Sequence, residues 1–421
     1  MKIGFFTETY HPQINGVVEQ IDTSAKELEA RGHEVYIICP KTPNFKDKNK
    51  RVIRIPSIKI HSNPEQRFIL PLPEKNFRRV FKIPFDIIHG QSGVPALLFG
   101  LELSRIKNIP FVFTYHTLLN RYTHYILKGK LVTPKMIEVG SKLFCNLSDV
   151  VIAPTERVKG ELISYGVTKK IVVIPGGIDK KKFTNVDKGF LRKKFKIAKG
   201  EKIVLYIGRL GKEKSVDFII RAFKLISREA TLFIIGDGPE KENLKTLSAK
   251  LKINKKIIFT GFIEVKDVPK VYADSDIFVF ASRTETQGLV IMEAMASFLP
   301  IVAVSDAAFE TSVISGLNGF QTRPNESDFA QKVEKLLNDK KLREKMGLES
   351  RKLSIERFSA ALQAERLEKL YQETISRYYK EKIDKLEVIK QKFTQFSNYL
   401  KINKAVDKLK QAMLSYGEGR K

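Results

Sequence analysis

Cysteine is scarce in this chain of 421 residues: Cys39 and Cys145 are the only two. Two cysteines exclude a disulfide framework and favour a reducing compartment. No stretch of about eighteen apolar residues is free of charge, so the sequence predicts no membrane-spanning helix. The opening MKIGFFTETYHP follows its short apolar run at once with polar residues, which does not fit a secretory signal and predicts a buried first strand.

Several motifs of cofactor and metal chemistry are also missing. The chain has no H-E-x-x-H, no C-x-x-C and no G-x-x-x-x-G-K-[ST], and no G-x-G-x-x-G follows a predicted strand. Asp274-Ser275-Asp276 has the spacing of a DxD metal site, but it lies where a predicted helix ends and a strand begins, and capping explains it better. We therefore predict no metal site and no cofactor.

The charge of the chain is strongly one-sided. The formal net charge is +28, which predicts an anionic partner: nucleic acid, acidic lipid headgroups or a phosphorylated substrate. No recognisable RNA- or DNA-binding module accompanies this charge, so we expect no nucleic-acid partner.

Apolar runs of strand length alternate with helical patterns along most of the chain, in two successive series. Such alternation is typical of parallel sheets covered by helices on both faces. The sequence therefore predicts an α/β fold with two doubly wound, Rossmann-like domains that face each other across a cleft. The predicted strands are residues 2–7, 34–39, 86–89, 110–116, 149–154 and 170–175 in the first series, and 202–208, 231–236, 256–261, 276–281 and 300–304 in the second.

The predicted domains are residues 1–175, which would bind the acceptor and face a membrane, and residues 176–355, which would bind a nucleotide sugar. PGGIDKKKF at 175–183 suits a hinge between them. Residues 356–376 form a predicted helix that returns to the first domain. Residues 377–421 form a basic amphipathic tail, interpreted either as a helix packed on the body or on another subunit, or as a membrane attachment.

Two predicted turns between a first strand and a first helix could bind phosphate. Gly16 begins the first helix of the first domain, where free amides and the helix dipole favour an anion. In the second domain, GRLGKEKS brings Arg209 and Lys214 just past the strand, where they could neutralise a diphosphate. Lys212 is close, so spacing alone leaves the choice of lysine open.

The segment ETQGLVIMEAM, 285–295, carries the most specific pattern. A helix that begins near Gly288 has Glu285 before its N-terminus and Glu293 inside it. One carboxylate could then accept hydrogen bonds from sugar hydroxyls and the other from a ribose, while the helix amides face a phosphate.

Histidines supply a further candidate in the first domain. His116 follows the strand PFVFTYH, and a histidine at that end of a strand would point into the cleft, where it could hydrogen-bond a substrate hydroxyl. His11, His89 and His124 could also approach the cleft.

These motifs, in this order, resemble retaining glycosyltransferases of GT-B architecture, in the glycogen-synthase-like and phosphatidylinositol-mannosyltransferase-like family. The resemblance covers about residues 1–375 and depends on GRLGKEKS, GDGPE, FTGFI and ETQGLVIMEAMA. Within that family, ETYHPQINGV and TYHTLLNRYTHYILKGKLVTPK are similar to bacterial diacylglycerol glucosyltransferases, which use UDP-glucose. The basic tail and QSGVPALLFG, 91–100, depart from the pattern.

The resemblance implies a role for each matched residue, with His116, Arg209, Lys214 and Glu285 as the catalytic set. In these roles Arg209 and Lys214 bind the donor diphosphate, Glu293 the ribose, Glu285 the sugar hydroxyls and His116 the 6-hydroxyl. Gly16 and the amides of Gly288, Leu289 and Val290 approach the diphosphate, and the backbone of Phe262 and Ile263 holds the uracil. Transfer then proceeds on the front face with retention, without a metal or a protein base.

The implied acceptor is a lipid, and the charge pattern favours one. Residues 41–84 contain twelve Lys and Arg against three Asp and Glu. Within them FRRVFKIPF predicts an amphipathic helix for an anionic headgroup layer, with Phe77 and Phe81 on one side and Arg78, Arg79 and Lys82 on the other. The alternative is a solvated basic face over a normally packed helix. Tyr10 and His124 are further acceptor-side candidates.

The sequence thus predicts a peripheral enzyme on the cytoplasmic face of the membrane that transfers glucose from UDP-glucose to the 3-hydroxyl of diacylglycerol. A related hexosyltransferase that acts on phosphatidylinositol or a glucosylated lipid, with GDP-mannose as a candidate donor, is one alternative. A non-catalytic basic protein that binds membrane or nucleic acid is another.

Overall fold

The computed structural model describes residues 1–60, 63–70, 72, 74–117 and 133–418. Both predicted series of strands form parallel sheets within it. The described residues of the N-terminal half form the strands Lys2–Thr7 (β1), Glu34–Pro40 (β2), Val52–Ile55 (β3), Ser57–Ile60 (β4), Asn63–Ile69 (β5), Ile87–Ser92 (β6), Phe111–Thr114 (β7), Val150–Ala153 (β8) and Ile171–Val173 (β9). Its helices are Gly16–Ala30 (α1), Lys75–Lys82 (α2), Val94–Lys107 (α3), Pro134–Leu147 (α4) and Glu156–Ser164 (α5).

The remaining strands and helices form the C-terminal half and the end of the chain. The strands are Lys202–Ile207 (β10), Ala230–Ile235 (β11), Ile257–Gly261 (β12), Ile277–Phe280 (β13), Ile301–Val304 (β14) and Gly319–Thr322 (β15). The helices are Phe190–Phe195 (α6), Val216–Lys224 (α7), Lys241–Lys250 (α8), Val268–Asp274 (α9), Leu289–Ala296 (α10), Glu326–Asn338 (α11), Lys340–Phe358 (α12) and Ala360–Glu418 (α13).

Strand order determines where the two sheets can bind ligands. The first sheet has the order β3-β2-β1-β6-β7-β8-β9 and the second the order β12-β11-β10-β13-β14-β15. In each, the direction of strand order reverses beside the first strand, β1 or β10, and doubly wound sheets bind ligands at the carboxyl ends of the strands at that point. The loops after β1, β10 and β13 are therefore the natural binding loops.

The ends of α1 illustrate how the sequence specifies an element next to such a loop. The side chain of Asn15 accepts hydrogen bonds from the backbone N–H groups of Val17 and Val18, which caps the helix. Gly32 follows the last turn with φ of +86°, a conformation that favours glycine after a helix. These two signals fix Gly16 at the first turn, directly after the β1 loop.

Three parts of the fold were not predicted from the sequence. β3 and β15 are edge strands of four residues each, and β4 and β5 form a small antiparallel hairpin. The runs VIRI and GFQT are short and contain polar residues, so they lack the continuous apolar signal of the central strands.

The chain divides into two compact units, Met1–Lys369 and Leu370–Lys421. The first unit contains both sheets. In it, the start of α13 contacts the N-terminal half: Glu368 pairs with Arg31 and accepts a hydrogen bond from Nε2 of His33 at 3.0 Å. The second unit is helical as far as it is described. No helix in the described ranges is long and apolar enough to cross a membrane.

Candidate active site

The two most specific motifs of the C-terminal half meet at one ion pair. Lys214 lies in the turn after β10, Glu285 lies in the loop after β13, and the Lys214 ammonium donates a hydrogen bond to the Glu285 carboxylate. Their side chains are only 15% and 16% exposed. A desolvated charge pair of this kind can orient a cation toward an anionic ligand.

A cavity of about 570 Å³ opens between the residues that flank this pair. Its walls include Glu213 and Ser215 on either side of Lys214, and Arg283 and Thr284 before Glu285. Among the described residues, the buried hydroxyl of Thr284 has no hydrogen-bond partner. The cavity therefore lies directly beside the ion pair of Lys214 and Glu285.

The N-terminus of α10 faces the first helix of the opposite half. Gly288 caps α10 with φ of +76°. A Cβ built on Gly16 would lie 2.9 Å from Cδ1 of Leu289, so a side chain at Gly16 would have to displace Leu289. The structure thus brings Gly16 and the first turn of α10 together.

Glu293 lies inside α10 and is held by a tyrosine. The hydroxyl of Tyr272 donates a 2.8 Å hydrogen bond to Oε2 of Glu293. Burial raises the pKa of Glu293 to about 7, although the Tyr272 hydrogen bond acts in the opposite direction. A carboxyl group poised near neutrality can accept hydrogen bonds from, or donate one to, a sugar hydroxyl.

His116 follows β7 and is tied to the loop that carries Glu285. The hydroxyl of Thr286 donates to the backbone carbonyl of His116 at 2.9 Å, and Thr155 donates to the carbonyl of Thr286 at 2.9 Å. The His116 ring lies 2.7 Å through Nε2 from Oε1 of Gln91. Two predicted residues from opposite halves, His116 and Glu285, are therefore linked through Thr286.

The other donor-side residues are more scattered. Arg209 is exposed in the loop after β10, and its carbonyl accepts from the Tyr206 hydroxyl at 3.2 Å. Phe262, directly after β12, is 67% exposed, whereas Ile263 is buried in the core of the C-terminal half. Val290 is half-buried on the same core.

The acceptor-side residues are less exposed than the membrane interpretation requires. Phe77 stacks on Phe99 of α3 with ring centres 5.2 Å apart, and Phe81 lies against the same ring. The prediction that these rings face lipid is therefore corrected: α2 packs its aromatic side on the protein core. Its cations remain on the outside, with Arg78, Arg79 and Lys82 exposed.

Tyr10 and His124 complete the predicted set. Tyr10 is buried, and its hydroxyl donates to Asp22 at 2.8 Å, so it supports the loop after β1 rather than facing an acceptor. His124 lies outside the described residues. The Asp274-Ser275-Asp276 segment is structural, as predicted: Asp274 accepts from the backbone N–H groups of Gly189 and Leu191 at the start of α6.

A buried carboxyl group in the loop after β1, that of Glu8, was not predicted from the sequence. Glu8 accepts hydrogen bonds from the backbone N–H of Ile69, on β5, and of Ala96, on α3, at 3.1 and 2.8 Å. Burial raises the pKa of Glu8 to about 7. The only signal in the sequence is a glutamate directly after a buried strand, because both of its partners are distant in the chain.

Three glutamines hold the segment between the two halves. Gln20 of α1 and Gln363 of α13 both accept from the backbone N–H of Gly177 at 3.0 Å, and Gln287 accepts from that of Gly176 at 2.8 Å. A Cβ on Gly177 would lie 2.6 Å from Cα of Ala360, so only glycine fits there. We call this set the glutamine clasp.

Comparison with known proteins agrees with this architecture. The family described as "Glycosyl transferases group 1" matches residues 187–353, and "Glycosyltransferase Family 4" matches residues 14–182. The chain is 36% identical to the alpha-monoglucosyldiacylglycerol synthase of Streptococcus pneumoniae, over 72% of this chain and 71% of the relative. It is 34% identical to the synthase of the same name from Acholeplasma laidlawii, over 77% and 86%.

Among solved structures, Anabaena HepE in complex with UDP and glucose has the same fold. The TM-score is 0.72 at 20% identity, and the match covers 89% of this chain and 100% of HepE. The alternative of a non-catalytic basic protein is set aside by these findings. The chain belongs to the group 1 glycosyl transferases and is a glycosyltransferase of GT-B architecture.

Proposed function

We propose that this enzyme transfers glucose from UDP-glucose to the 3-hydroxyl of 1,2-diacylglycerol, with retention, to give an α-glucosyl glycolipid at the cytoplasmic face of the membrane. The main structural support for this proposal is the contact of Lys214 with Glu285, beside the cavity at the loops after β10 and β13. The sugar and the acceptor are suggested by the two synthases named alpha-monoglucosyldiacylglycerol synthase.

In this proposal the diphosphate binds between Lys214, Arg209 and the first turn of α10. An ammonium carries three N–H donors, so Lys214 can hold Glu285 and a phosphate oxygen together. The amides at Leu289 and Val290 add the positive end of the helix dipole. Gly16, which packs against Leu289, would approach the diphosphate from the opposite half.

The sugar would lie between the two halves, with Glu285 and His116 on its hydroxyls, while Glu293 binds the ribose. The uracil would lie on the backbone of Phe262 and Ile263, at the edge of the second sheet. These assignments come from the resemblance to the family.

Breaking the bond to the diphosphate creates negative charge on the leaving phosphate and an oxocarbenium-like sugar. Each preorganised donor aimed at such charge stabilises the transition state by roughly 3 kcal/mol. The departing phosphate oxygen takes the proton of the acceptor hydroxyl, so neither a metal ion nor a protein base is needed for the transfer.

The proposed membrane contact depends on charge. The net charge is +28, and α2 exposes Arg78, Arg79 and Lys82 while its aromatic side packs inward. Each cation near an anionic leaflet contributes roughly 1 kcal/mol of attraction. We therefore propose that α2 lies on the headgroups without inserting its rings.

The test is a parallel donor assay on vesicles that contain diacylglycerol, with and without an anionic phospholipid. UDP-glucose, UDP-galactose and GDP-mannose are supplied separately, and the lipid products are separated by thin-layer chromatography. We expect a monoglucosyl lipid from UDP-glucose alone, in larger amount on anionic vesicles, with the α configuration by proton NMR.

Lys214→Ala is the variant expected to lose most activity, and Lys212→Ala, which removes an exposed cation two residues away, is the matched control that keeps activity. A mannosyl lipid from GDP-mannose would support the alternative hexosyltransferase. Turnover of soluble sugars without vesicles, or a β-linked product, would contradict the proposal.

A further inference from the structure

Four polar side chains form a continuous hydrogen-bonded chain from the cleft into the first sheet. Nε2 of His116 lies 2.7 Å from Oε1 of Gln91, and Nε2 of Gln91 lies 3.1 Å from Nδ1 of His89. Nε2 of His89 in turn lies 2.6 Å from the Thr114 hydroxyl. His89 and Gln91 lie on β6 and Thr114 ends β7, so adjacent strands hold the chain. We call it the His116 relay.

Most of the His116 relay is buried, so its polar atoms depend on one another as hydrogen-bond partners. His89, Gln91 and Thr114 are 2%, 5% and 8% exposed, and the His89 ring forms a T-shaped contact with Phe5, with ring centres 5.3 Å apart. A buried polar atom that loses its partner destabilises the fold, so the side chains hold fixed donor and acceptor roles.

The direction of the hydrogen bonds follows from the atoms that meet. Oε1 of Gln91 can only accept, so Nε2 of His116 carries a hydrogen and donates it. Nε2 of Gln91 can only donate, so Nδ1 of His89 accepts and its Nε2–H donates to Thr114. The relay therefore runs in one direction, from His116 through Gln91 and His89 to Thr114.

Neither imidazole carries a positive charge at neutral pH. Burial lowers the pKa of His116 to about 4 and that of His89 to about 3, and the proximity of His116 lowers the latter further. A neutral ring with a hydrogen on Nε2 has a lone pair on Nδ1. Within the described part of the chain, Nδ1 of His116 makes no hydrogen bond.

We propose that Gln91, supported by His89 and Thr114, is a positioning residue that holds His116 as the Nε2–H tautomer and so makes Nδ1 the atom that accepts a hydrogen bond from a hydroxyl of the donor sugar. This inference rests on the proposed function, because it assumes that the sugar lies against His116.

The relay then selects the donor sugar by its hydrogen-bonding group. An acceptor nitrogen binds a hydroxyl, which can donate, and disfavours a carboxylate, which can only accept. If the 6-hydroxyl faces His116, as the family resemblance implies, the corresponding uronate would place two acceptors against each other. We expect UDP-glucuronate to be at least 100-fold poorer than UDP-glucose in kcat/KM, the scale of discrimination that an unpaired buried polar group gives.

The first test needs no substrate. Histidine labelled with nitrogen-15 in the full-length protein reports, by NMR, which ring nitrogen of His116 carries hydrogen. We expect a neutral Nε2–H ring between pH 6 and 8, and a mixture of tautomers in Gln91→Met. Gln91→Glu, which keeps the shape and the acceptor oxygen, should retain the Nε2–H and raise the pKa of His116. Hydrogen on Nδ1 in the wild-type protein would overturn the proposal.

Thr114 gives a second, independent pair of variants if Gln91→Met does not fold. Thr114→Val removes the terminal acceptor, and Thr114→Ser restores a hydroxyl at the same place. We expect Thr114→Val to broaden the tautomer distribution of His116 and Thr114→Ser to return it to the wild-type signature. A purely structural role for Thr114 would leave the tautomer unchanged in both variants, which would contradict the relay.

The second test is kinetic and measures glucose transfer by the full-length enzyme. Gln91→Met should lower kcat/KM for UDP-glucose about tenfold, the equivalent of one hydrogen bond, and should lower it far less for UDP-6-deoxyglucose. UDP affinity should not change, and Gln331→Met, on the exposed side of α11, is the matched control. An equal loss with both donors would overturn the assignment to the sugar hydroxyl.

The two tests separate this inference from the proposed function. If UDP-glucose is not turned over but the NMR signature holds, the relay stands and the donor assignment is wrong. If glucose transfer is found but His116 carries its hydrogen on Nδ1, the donor assignment stands and the relay is wrong.

Discussion

The two halves of this enzyme share a sheet topology but bring different polar chemistry to the cleft. The C-terminal half contributes the ion pair of Lys214 and Glu285 at the ends of β10 and β13. The N-terminal half contributes His116, whose pKa burial lowers so that the ring is neutral, and Gly16, which has no side chain. Two halves with a common fold can therefore differ in role: the C-terminal half would stabilise charge, and the N-terminal half would provide shape and hydrogen bonds.

Substitutions in the ion pair of Lys214 and Glu285 should have the largest effect on activity. Lys214→Ala removes a cation from the proposed leaving group and leaves Glu285 without its partner, so we expect kcat to fall by about 10²–10³. In Glu285→Gln we expect kcat to fall by a similar factor, with a smaller effect on the affinity for UDP. Initial rates on vesicles and calorimetric titration of UDP measure the two effects. If Lys212→Ala loses as much as Lys214→Ala, the ion pair is not the centre of the ionic side.

Gly16 tests the contribution of shape from the neutral half. In Gly16→Ala the new Cβ would lie 2.9 Å from Cδ1 of Leu289, so the Leu289 side chain must move at the first turn of α10, where the diphosphate is proposed to bind. We expect KM for the donor to rise about tenfold, as a small change at a closely packed contact commonly does. Leu289→Ala in the same chain should restore most of the affinity. A double variant no better than Gly16→Ala would show that the contact with Leu289 is not the reason.

A substitution of Glu8 should have the smallest effect on activity, and its main effect should be on the free energy of unfolding. Its pKa is about 7 in the folded protein against an ordinary value of 4.5, so the folded state binds its proton more tightly than the unfolded state does. Glu8 therefore favours folding below about pH 4.5, and that contribution is lost as pH rises through 7.

Glu8→Gln removes this titration while keeping an acceptor oxygen for Ala96. We expect the variant to be more stable than the wild-type protein at pH 8, by roughly 1–3 kcal/mol, and the difference to shrink toward pH 5. Denaturant unfolding at a series of pH values measures it, and subtraction of the two curves cancels the opposite trend from His89 and His116. A difference that grows toward acid would contradict the burial of an ionisable Glu8.

The parts of the site that the sequence predicted are those with local signals. Glu285, Gly288 and Glu293 lie on one loop and one helix, so their spacing alone places them around the start of α10. The contact between Lys214 and Glu285 joins distant segments, but the rule that parallel strands end at one edge of a sheet brings their loops together.

The parts that were missed depend on long-range packing. Phe77 and Phe81 could face lipid or protein as far as the helical pattern tells, and Phe99, on a different helix, decides between them. Gln91 and Glu8 carry no motif, and their roles arise only when β6, β7 and α3 assemble around them. The edge strands β3 and β15 were missed because a short run with polar residues has no periodicity of its own.

The glutamine clasp has a consequence for how the two halves can separate. Gln20, Gln287 and Gln363 are uncharged, so their bonds to Gly176 and Gly177 are not weakened by dissolved ions, whereas the neighbouring bridge of Lys26 to Asp179 is exposed on its lysine side and is screened. Raising the ionic strength should therefore weaken the bridge of Lys26 to Asp179, while the glutamine clasp keeps its geometry. We therefore expect the hydrogen bonds of the glutamine clasp to hold equally in dilute buffer and in concentrated salt.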